Sequence, residues 1–132
     1  MPADAPTTPS KGPLLIVDDE PSIAKYMGLV LGREGFQVLT ASNAEEGWEL
    51  FQRQAPQVRA VVTDWAMPGD WNSLELARRV RAASPDTPVL LVTGFEPSGP
   101  LEACSGLLPK PFTADRLRAA VRRIIEPALG CI

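Results

Sequence analysis

Residues 14–20 of the chain read LLIVDDE, four apolar residues followed at once by three carboxylates. A continuous apolar run without alternating polar residues is typical of a strand that is buried on both faces of a sheet. Pro21 then suits the first turn of a helix, and Gly35 is placed to end that helix. Apolar residues at spacings of three and four are expected to face the core from this helix: Ile23, Tyr26, Met27, Val30 and Leu31.

Four further apolar runs repeat this alternation of strand and helix along the chain. They span residues 36–40, 60–63, 89–92 and 106–108, and the later helices are expected to be capped by Ser42, by Asn72 or Ser73, and by Thr113. Parallel strands require crossover connections, and those crossovers cover both faces of the sheet. The alternation therefore predicts an α/β fold with a doubly wound five-stranded parallel sheet. The last strand is expected at an edge because it runs into Pro109.

Composition favours one globular domain, because 132 residues with 45% apolar content suit a single core. We predict a disordered tail over residues 1–12, a folded domain over 13–127 and a C-terminal tail over 128–132. The net charge of −3 argues against direct nucleic-acid binding, which rests on clustered cationic side chains. The lack of histidine argues against structural zinc, and no apolar stretch reaches membrane-spanning length. A cytoplasmic protein without a membrane partner is expected.

Side chains of different chemistry come directly after the predicted strands. They are Asp18 and Asp19 after the first strand, Asp64 after the third, Thr93 after the fourth and Lys110 after the fifth. The carboxyl ends of parallel strands meet at one edge of the sheet, and ligands bind at that edge in folds of this class. These five side chains are therefore expected to converge.

Three carboxylates at one edge of the sheet repel one another, so a cation is expected to bind among them. Two carboxylates about 4 Å apart repel each other by roughly 4 kcal/mol at an effective dielectric constant near 20. Mg²⁺ relieves such repulsion because it prefers oxygen ligands, and it keeps several waters that phosphate oxygens can replace. The ammonium of Lys110 and the hydroxyl of Thr93 suit the oxygens of a transferring phosphoryl group, with Asp64 as the natural nucleophile.

Four short motifs together resemble the receiver domain of bacterial two-component response regulators. The motifs are IVDDE at 16–20, TDWAMP at 63–68, VTG at 92–94 and KPF at 110–112. The resemblance covers residues 14–126, which is nearly the whole chain after the predicted tail. It implies a flavodoxin-like sheet of the CheY-like type and a phosphorelay signalling role.

The resemblance also implies a role for individual residues. Asp64 would accept phosphate from a sensor histidine kinase or a histidine phosphotransfer protein. The Mg²⁺ ligands would be Asp18, Asp19, Asp64 and the backbone carbonyl of Ala66, the phosphoryl contacts would come from Thr93 and Lys110, and the Lys110–Pro111 bond would be cis. Such a switch acts by contact with a downstream protein target. It is not an enzyme toward external substrates, since it catalyses only its own phosphorylation and dephosphorylation.

The chain departs from the family pattern at two places. The interval between Thr93 and Lys110 is shorter than usual and rich in proline and glycine, so the fourth helix of the family is expected to be short or missing. Leu107 stands where the family usually has a switching tyrosine or phenylalanine. In the family, the residues two after the acceptor and two after the hydroxyl influence the hydrolytic water. Here they are Ala66 and Phe95, and neither side chain can hydrogen-bond that water, which predicts slow self-dephosphorylation.

Several alternatives share parts of the pattern. Taken singly, the carboxylates could favour a helix N-terminus and the lysine could be merely solvated. A flavodoxin-like electron carrier would need a phosphate-binding loop where residues 18–20 are acidic, and a haloacid dehalogenase phosphatase would separate its two aspartates by one residue. A degenerate receiver that works as a phosphorylation-independent interaction module is motivated by Leu107 and the shortened helix. A receiver portion of a hybrid histidine kinase is a further alternative, although Met1 and its tail favour a stand-alone protein.

Overall fold

A computed structural model of the chain describes residues 12–54, 57–65, 72–94 and 104–125. These residues form five strands and four helices. In chain order the elements are β1 Pro13–Val17, α1 Pro21–Gly32, β2 Gln37–Ala41, α2 Ala44–Gln54, β3 Ala60–Asp64, α3 Ser73–Ala83, β4 Val89–Thr93, β5 Gly106–Pro109 and α4 Ala114–Ile125. Residues 1–11 and 126–132 lie outside the described residues, so both predicted tails stay predictions. None of the described helices is long and apolar enough to cross a membrane.

The strands form one parallel sheet in the order β2-β1-β3-β4-β5. This order confirms the predicted doubly wound α/β fold, and it confirms that the fifth strand lies at an edge. All residues of β1, β3 and β4 are buried, as their continuous apolar runs predict. The three central strands are therefore covered on both faces.

Alternate residues of β1 divide the core into two clusters. Leu14 and Ile16 face the layer that contains α1 and α4, whereas Leu15 and Val17 face the layer that contains α2 and α3. This division follows from the two-residue period of a strand. The helices on both faces hold β1 fixed, and so they also fix the acidic loop that follows it.

Side-chain caps define the first turns of three helices. Asn72 accepts from the Glu75 N–H at 2.9 Å at the start of α3, and Thr113 accepts from the Arg116 N–H at 3.2 Å at the start of α4. Both contacts agree with the predicted caps. The predicted cap of α2 is wrong by one residue, because the next residue, Asn43, accepts from the Glu46 N–H at 2.7 Å. Serine and asparagine cap helices about equally well, so the sequence does not separate adjacent candidates.

One residue of α1 is more exposed than the sequence predicts. Tyr26 was expected to face the core, but its side chain is 41% exposed because it lies at the rim, with its ring centroid 6.2 Å from that of Phe112. Gly35 has a φ of 102° just beyond α1, in agreement with its predicted role in ending that helix.

The predicted short or missing helix between β4 and β5 falls on residues 95–103, which lie outside the described residues.

A glycine in α2 permits close contact between that helix and β1. A Cβ atom at Gly47 would lie 2.8 Å from Val17 Cγ2, which is closer than van der Waals contact allows. We expect Gly47→Ala to lower the free energy of unfolding by about 1–3 kcal/mol, because overpacking outweighs the better helix propensity of alanine. Urea denaturation measures this difference.

The matched control for this prediction is Gly32→Ala at the end of α1. No atom lies within 4 Å of a Cβ built there. We expect this control to change the free energy of unfolding by no more than about 1 kcal/mol in either direction. Equal stability of the two alanine variants would contradict the proposed close approach.

Candidate functional site

The loops that follow the strands continue the hydrogen bonding of the sheet beyond its carboxyl edge. The backbone N–H of Asp18 donates to the Ala41 carbonyl at 3.0 Å, and the backbone N–H of Lys110 donates to the Thr93 carbonyl at 2.7 Å. These bonds place the first residue after β1 and the first residue after β5 at the same edge. The convergence predicted from strand ends is present at the backbone level.

Three carboxylates meet at this edge. One oxygen each from Asp18, Asp19 and Asp64 lies within 4.8 Å of the other two. Asp18 and Asp64 are 2% and 6% exposed, whereas Asp19 is exposed to solvent. The group therefore combines two buried carboxylates with one that faces the solvent.

The hydrogen bonding of Asp18 leaves one of its oxygens suited to a cation. Its Oδ1 accepts from the Glu20 N–H at 2.9 Å, but its buried Oδ2 has no hydrogen-bond partner among the described residues. A buried polar atom without a partner is costly, and the cost is greater when the group is charged. A hard divalent cation such as Mg²⁺ would satisfy this oxygen and neutralise its neighbours, so the residues present fit that ion.

Lys110 brings the positive charge that the sequence predicts. Its Nζ lies 2.9 Å from Asp64 Oδ1, and the side chains of the two residues are 29% and 8% exposed. The Lys110–Pro111 peptide bond is cis, as the family resemblance implies. Thr93 is buried at the end of β4, in register with Pro109 of β5. The structure thus joins Lys110 directly to Asp64 and sets Thr93 on the strand between them.

The electrostatic surroundings of Asp18 shift its proton equilibrium. Burial is the main cause that raises the pKa of Asp18 above its usual value of 3.8, and the Glu20 N–H opposes the rise. The charges of Asp64 and Asp19 raise this pKa further, whereas the Lys110 ammonium lowers it. Without a bound cation, ionisation of Asp18 therefore opposes folding.

This shift predicts a pH dependence of stability for the metal-free protein. Between pH 3.8 and the higher pKa that Asp18 has in the folded state, the folded chain binds more protons at Asp18 than the unfolded chain does. The stabilisation from the protonated Asp18 carboxyl is thus complete below pH 3.8. It is lost as the pH rises through the pKa of Asp18 in the folded state. We expect the free energy of unfolding of the wild type, relative to Asp18→Asn, to fall across this window. Urea denaturation of both proteins from pH 3.5 upward, in chelator, gives the difference, and a flat difference would contradict the prediction.

Sequence reasoning missed two hydroxyl contacts that hold the backbone around Asp64. Ser73 is fully buried at the start of α3, and its Oγ lies 3.4 Å from the carbonyl oxygen of Trp65. Thr63 donates through its hydroxyl to the carbonyl of Asp64 at 3.2 Å. The only sequence signal at Ser73 was its suitability as a helix cap, and Asn72 takes that role instead.

Two predicted site positions lie outside the described residues. They are Ala66, whose carbonyl was expected to bind the cation, and Phe95, which was expected to limit access of the hydrolytic water. The Mg²⁺ contact of Ala66 and the slow self-dephosphorylation stay predictions. Leu107, at the position of the family's switching aromatic residue, is 46% exposed on the edge strand.

Comparison with known proteins identifies the family. The family model described as the response regulator receiver domain matches residues 14–122. The probable transcriptional regulatory protein TcrX of Mycobacterium tuberculosis is 33% identical over 119 residues, which cover 83% of this chain and 50% of that protein. The transcriptional regulatory protein GlrR of Escherichia coli is 31% identical over 86% of this chain and 26% of its own length. The chain thus spans half or less of these curated relatives.

Two solved structures of response regulators match this chain over nearly their own full length. A response regulator receiver domain protein from Clostridium thermocellum has a TM-score of 0.77 at 28% identity, covering 92% of this chain and 99% of its own. TrrA from Thermotoga maritima, in complex with Mg²⁺ and BeF, has a TM-score of 0.77 at 29% identity, covering 86% and 98%. The parallel sheet, the acidic edge and these matches lead to one conclusion: the chain belongs to the response regulator receiver domain family of two-component systems.

Proposed function

We propose that Asp64 is the phosphoacceptor of a two-component phosphorelay, and that Asp18, Asp19 and Asp64 hold Mg²⁺ during the transfer. The main support for this proposal is the set of charged side chains around Asp64. Its carboxylate lies within 4.8 Å of two further carboxylates and 2.9 Å from the Lys110 ammonium. A phosphoryl group needs this combination of a nucleophilic carboxylate, a divalent cation and a second positive charge.

The proposed reaction moves the phosphoryl group from a histidine to an aspartate. One oxygen of Asp64 forms a bond to phosphorus while the phosphorus–nitrogen bond of phosphohistidine breaks. The electron pair of that bond leaves with the imidazole, which takes up a proton from solvent. A bound Mg²⁺ would supply positive charge to the phosphoryl oxygens. Lys110 supplies a second positive charge, and Thr93 supplies a hydroxyl donor at the neighbouring strand end.

The partners follow from the direction of this transfer. A sensor histidine kinase or a histidine phosphotransfer protein would provide the phosphohistidine, and a downstream protein would bind the phosphorylated chain. The curated relatives include regulatory proteins and the sensor kinase CckA of Brucella abortus, which is 29% identical over 12% of its length. The match to CckA also supports a second setting, in which this domain serves as the receiver of a hybrid kinase.

Phosphorylation by a small-molecule donor tests the proposal without requiring the cognate kinase. The purified chain is incubated with acetyl phosphate, either with Mg²⁺ or with a chelator, and intact mass is measured over time. We expect addition of a single phosphoryl group that depends on Mg²⁺. An equal rate in chelator would refute the metal role, and no phosphorylation in either condition would favour the phosphorylation-independent interaction module.

A further inference from the structure

A second site lies at the opposite end of the sheet from Asp64. A cleft of about 420 Å³ opens between the last turns of α3 and α4, next to the loop before β4 and the residue before β5. We propose that this cleft, here named the basal cleft, binds the phosphate group of a small molecule. The amino ends of β4 and β5 border it, so it is separate from the carboxyl edge that carries the proposed phosphorylation site.

The first support is the hydrogen bond that holds one guanidinium group at the cleft. Ser105 Oγ accepts from the Arg81 guanidinium at 3.0 Å and from the Val89 N–H at 3.0 Å. A serine hydroxyl has one donor and two acceptor lone pairs, so these contacts use both lone pairs. Ser105 is exposed, so its proton is available for donation to water or to a bound ligand. A phosphate oxygen in the cleft is a suitable acceptor.

The second support is a pair of guanidinium groups that form no ion pair within the described part of the chain. Arg81 and Arg123 line the basal cleft, and neither forms an ion pair with a carboxylate of the described residues. Arg79 on the same helix as Arg81 pairs with Glu75 at 2.8 Å, so the lack of a partner is not general to α3. Guanidinium groups bind phosphate through paired, charge-assisted hydrogen bonds.

The other lining residues limit the kind of ligand. Asp86 also lines the basal cleft, and its carboxylate opposes an anion, but the two guanidinium charges exceed it. A phosphate monoester is dianionic above a pKa near 6, so it matches the two cations better than a carboxylic acid does. Pro85, Pro88 and Ile124 add apolar walls against which an organic body can pack.

Titration of the full chain with adenosine monophosphate tests the proposal. The ¹⁵N-labelled protein is followed by NMR at constant ionic strength, with inorganic phosphate and adenosine as separate arms. We expect saturable shifts of the Val89 and Ser105 amides with either phosphate compound, and none with adenosine. Tighter binding of the nucleotide identifies an organic phosphate as the ligand, and equal binding identifies free phosphate.

Substitutions in the cleft provide the decisive comparison. We expect Arg81→Gln and Arg123→Gln each to weaken binding about tenfold, and Asp86→Asn to tighten it severalfold. Asp64→Asn should bind as the wild type does, which separates this site from the proposed phosphorylation site. Circular dichroism confirms that each variant is folded. An affinity that is unchanged in the double variant Arg81→Gln/Arg123→Gln would overturn the proposal. So would shifts centred on Lys110, or no saturation at 10 mM ligand.

Discussion

Asp64→Asn is expected to accept no detectable phosphoryl group from acetyl phosphate under conditions that phosphorylate the wild type. The asparagine keeps the shape of the side chain but lacks the anionic oxygen that would form the bond to phosphorus. The 2.9 Å ion pair with Lys110 would also lose its charge. Because the nucleophile itself is removed, we expect the rate to fall by at least about 10³-fold. Intact mass spectrometry over a time course measures the loss.

The control for this result is Asp115→Asn, which removes an exposed carboxylate in the first turn of α4. This variant should be phosphorylated at the wild-type rate, because its carboxylate lies on a helix outside the acidic group. Urea denaturation shows that the variants are folded. Persistent phosphorylation of Asp64→Asn would place the acceptor at another residue.

Asp18→Asn is expected to change stability in opposite directions with and without Mg²⁺. Without metal, removal of a buried charge beside acidic neighbours, with one oxygen that no described residue hydrogen-bonds, should raise the free energy of unfolding by about 1 kcal/mol. With Mg²⁺, the wild type should gain about 2.7 kcal/mol at a concentration one hundred times its dissociation constant. The variant has lost a buried ligand, so it should gain less than about 1 kcal/mol under the same conditions.

Urea denaturation of the wild type, Asp18→Asn and Asp115→Asn, each with Mg²⁺ and with chelator, measures both effects. Asp115→Asn should gain as much from Mg²⁺ as the wild type does. An equal gain in Asp18→Asn would mean that Asp18 does not hold the ion. A loss of stability for Asp18→Asn in chelator would mean that the hydrogen bond from Glu20 outweighs the cost of the buried charge.

The parts of the molecule that were predicted correctly depend on local pattern. The run from Leu14 to Val17 is buried on both faces because a central parallel strand has no solvent side, and its composition is enough to indicate this. The approach of Lys110 to Asp64 follows from the shared direction of parallel strands. The spacing of apolar residues indicates which face of α1 points inward, but it does not show where the contact of that face with the core ends. This explains why Tyr26 is more exposed than expected.

The parts that were not predicted depend on contacts between distant segments. The hydrogen bond from Arg81 to Ser105 joins residues 24 positions apart, and it requires that the end of α3 pack beside the start of β5. The contact of Ser73 with Trp65 depends on the path of the loop between β3 and α3. That Asp18 Oδ2 finds no hydrogen-bond partner within the described residues depends on side-chain rotamers. Spacing in the sequence does not determine any of these arrangements.

Chemical trapping of the phosphorylated residue is the most direct test of whether Asp64 is the phosphoacceptor. Borohydride reduces an aspartyl phosphate to homoserine, so tandem mass spectrometry of the trapped and digested protein locates the acceptor. We expect homoserine at position 64 in wild-type protein that was phosphorylated with Mg²⁺, and unmodified aspartate there when chelator was present. Homoserine at another aspartate, with position 64 unmodified, would contradict this expectation.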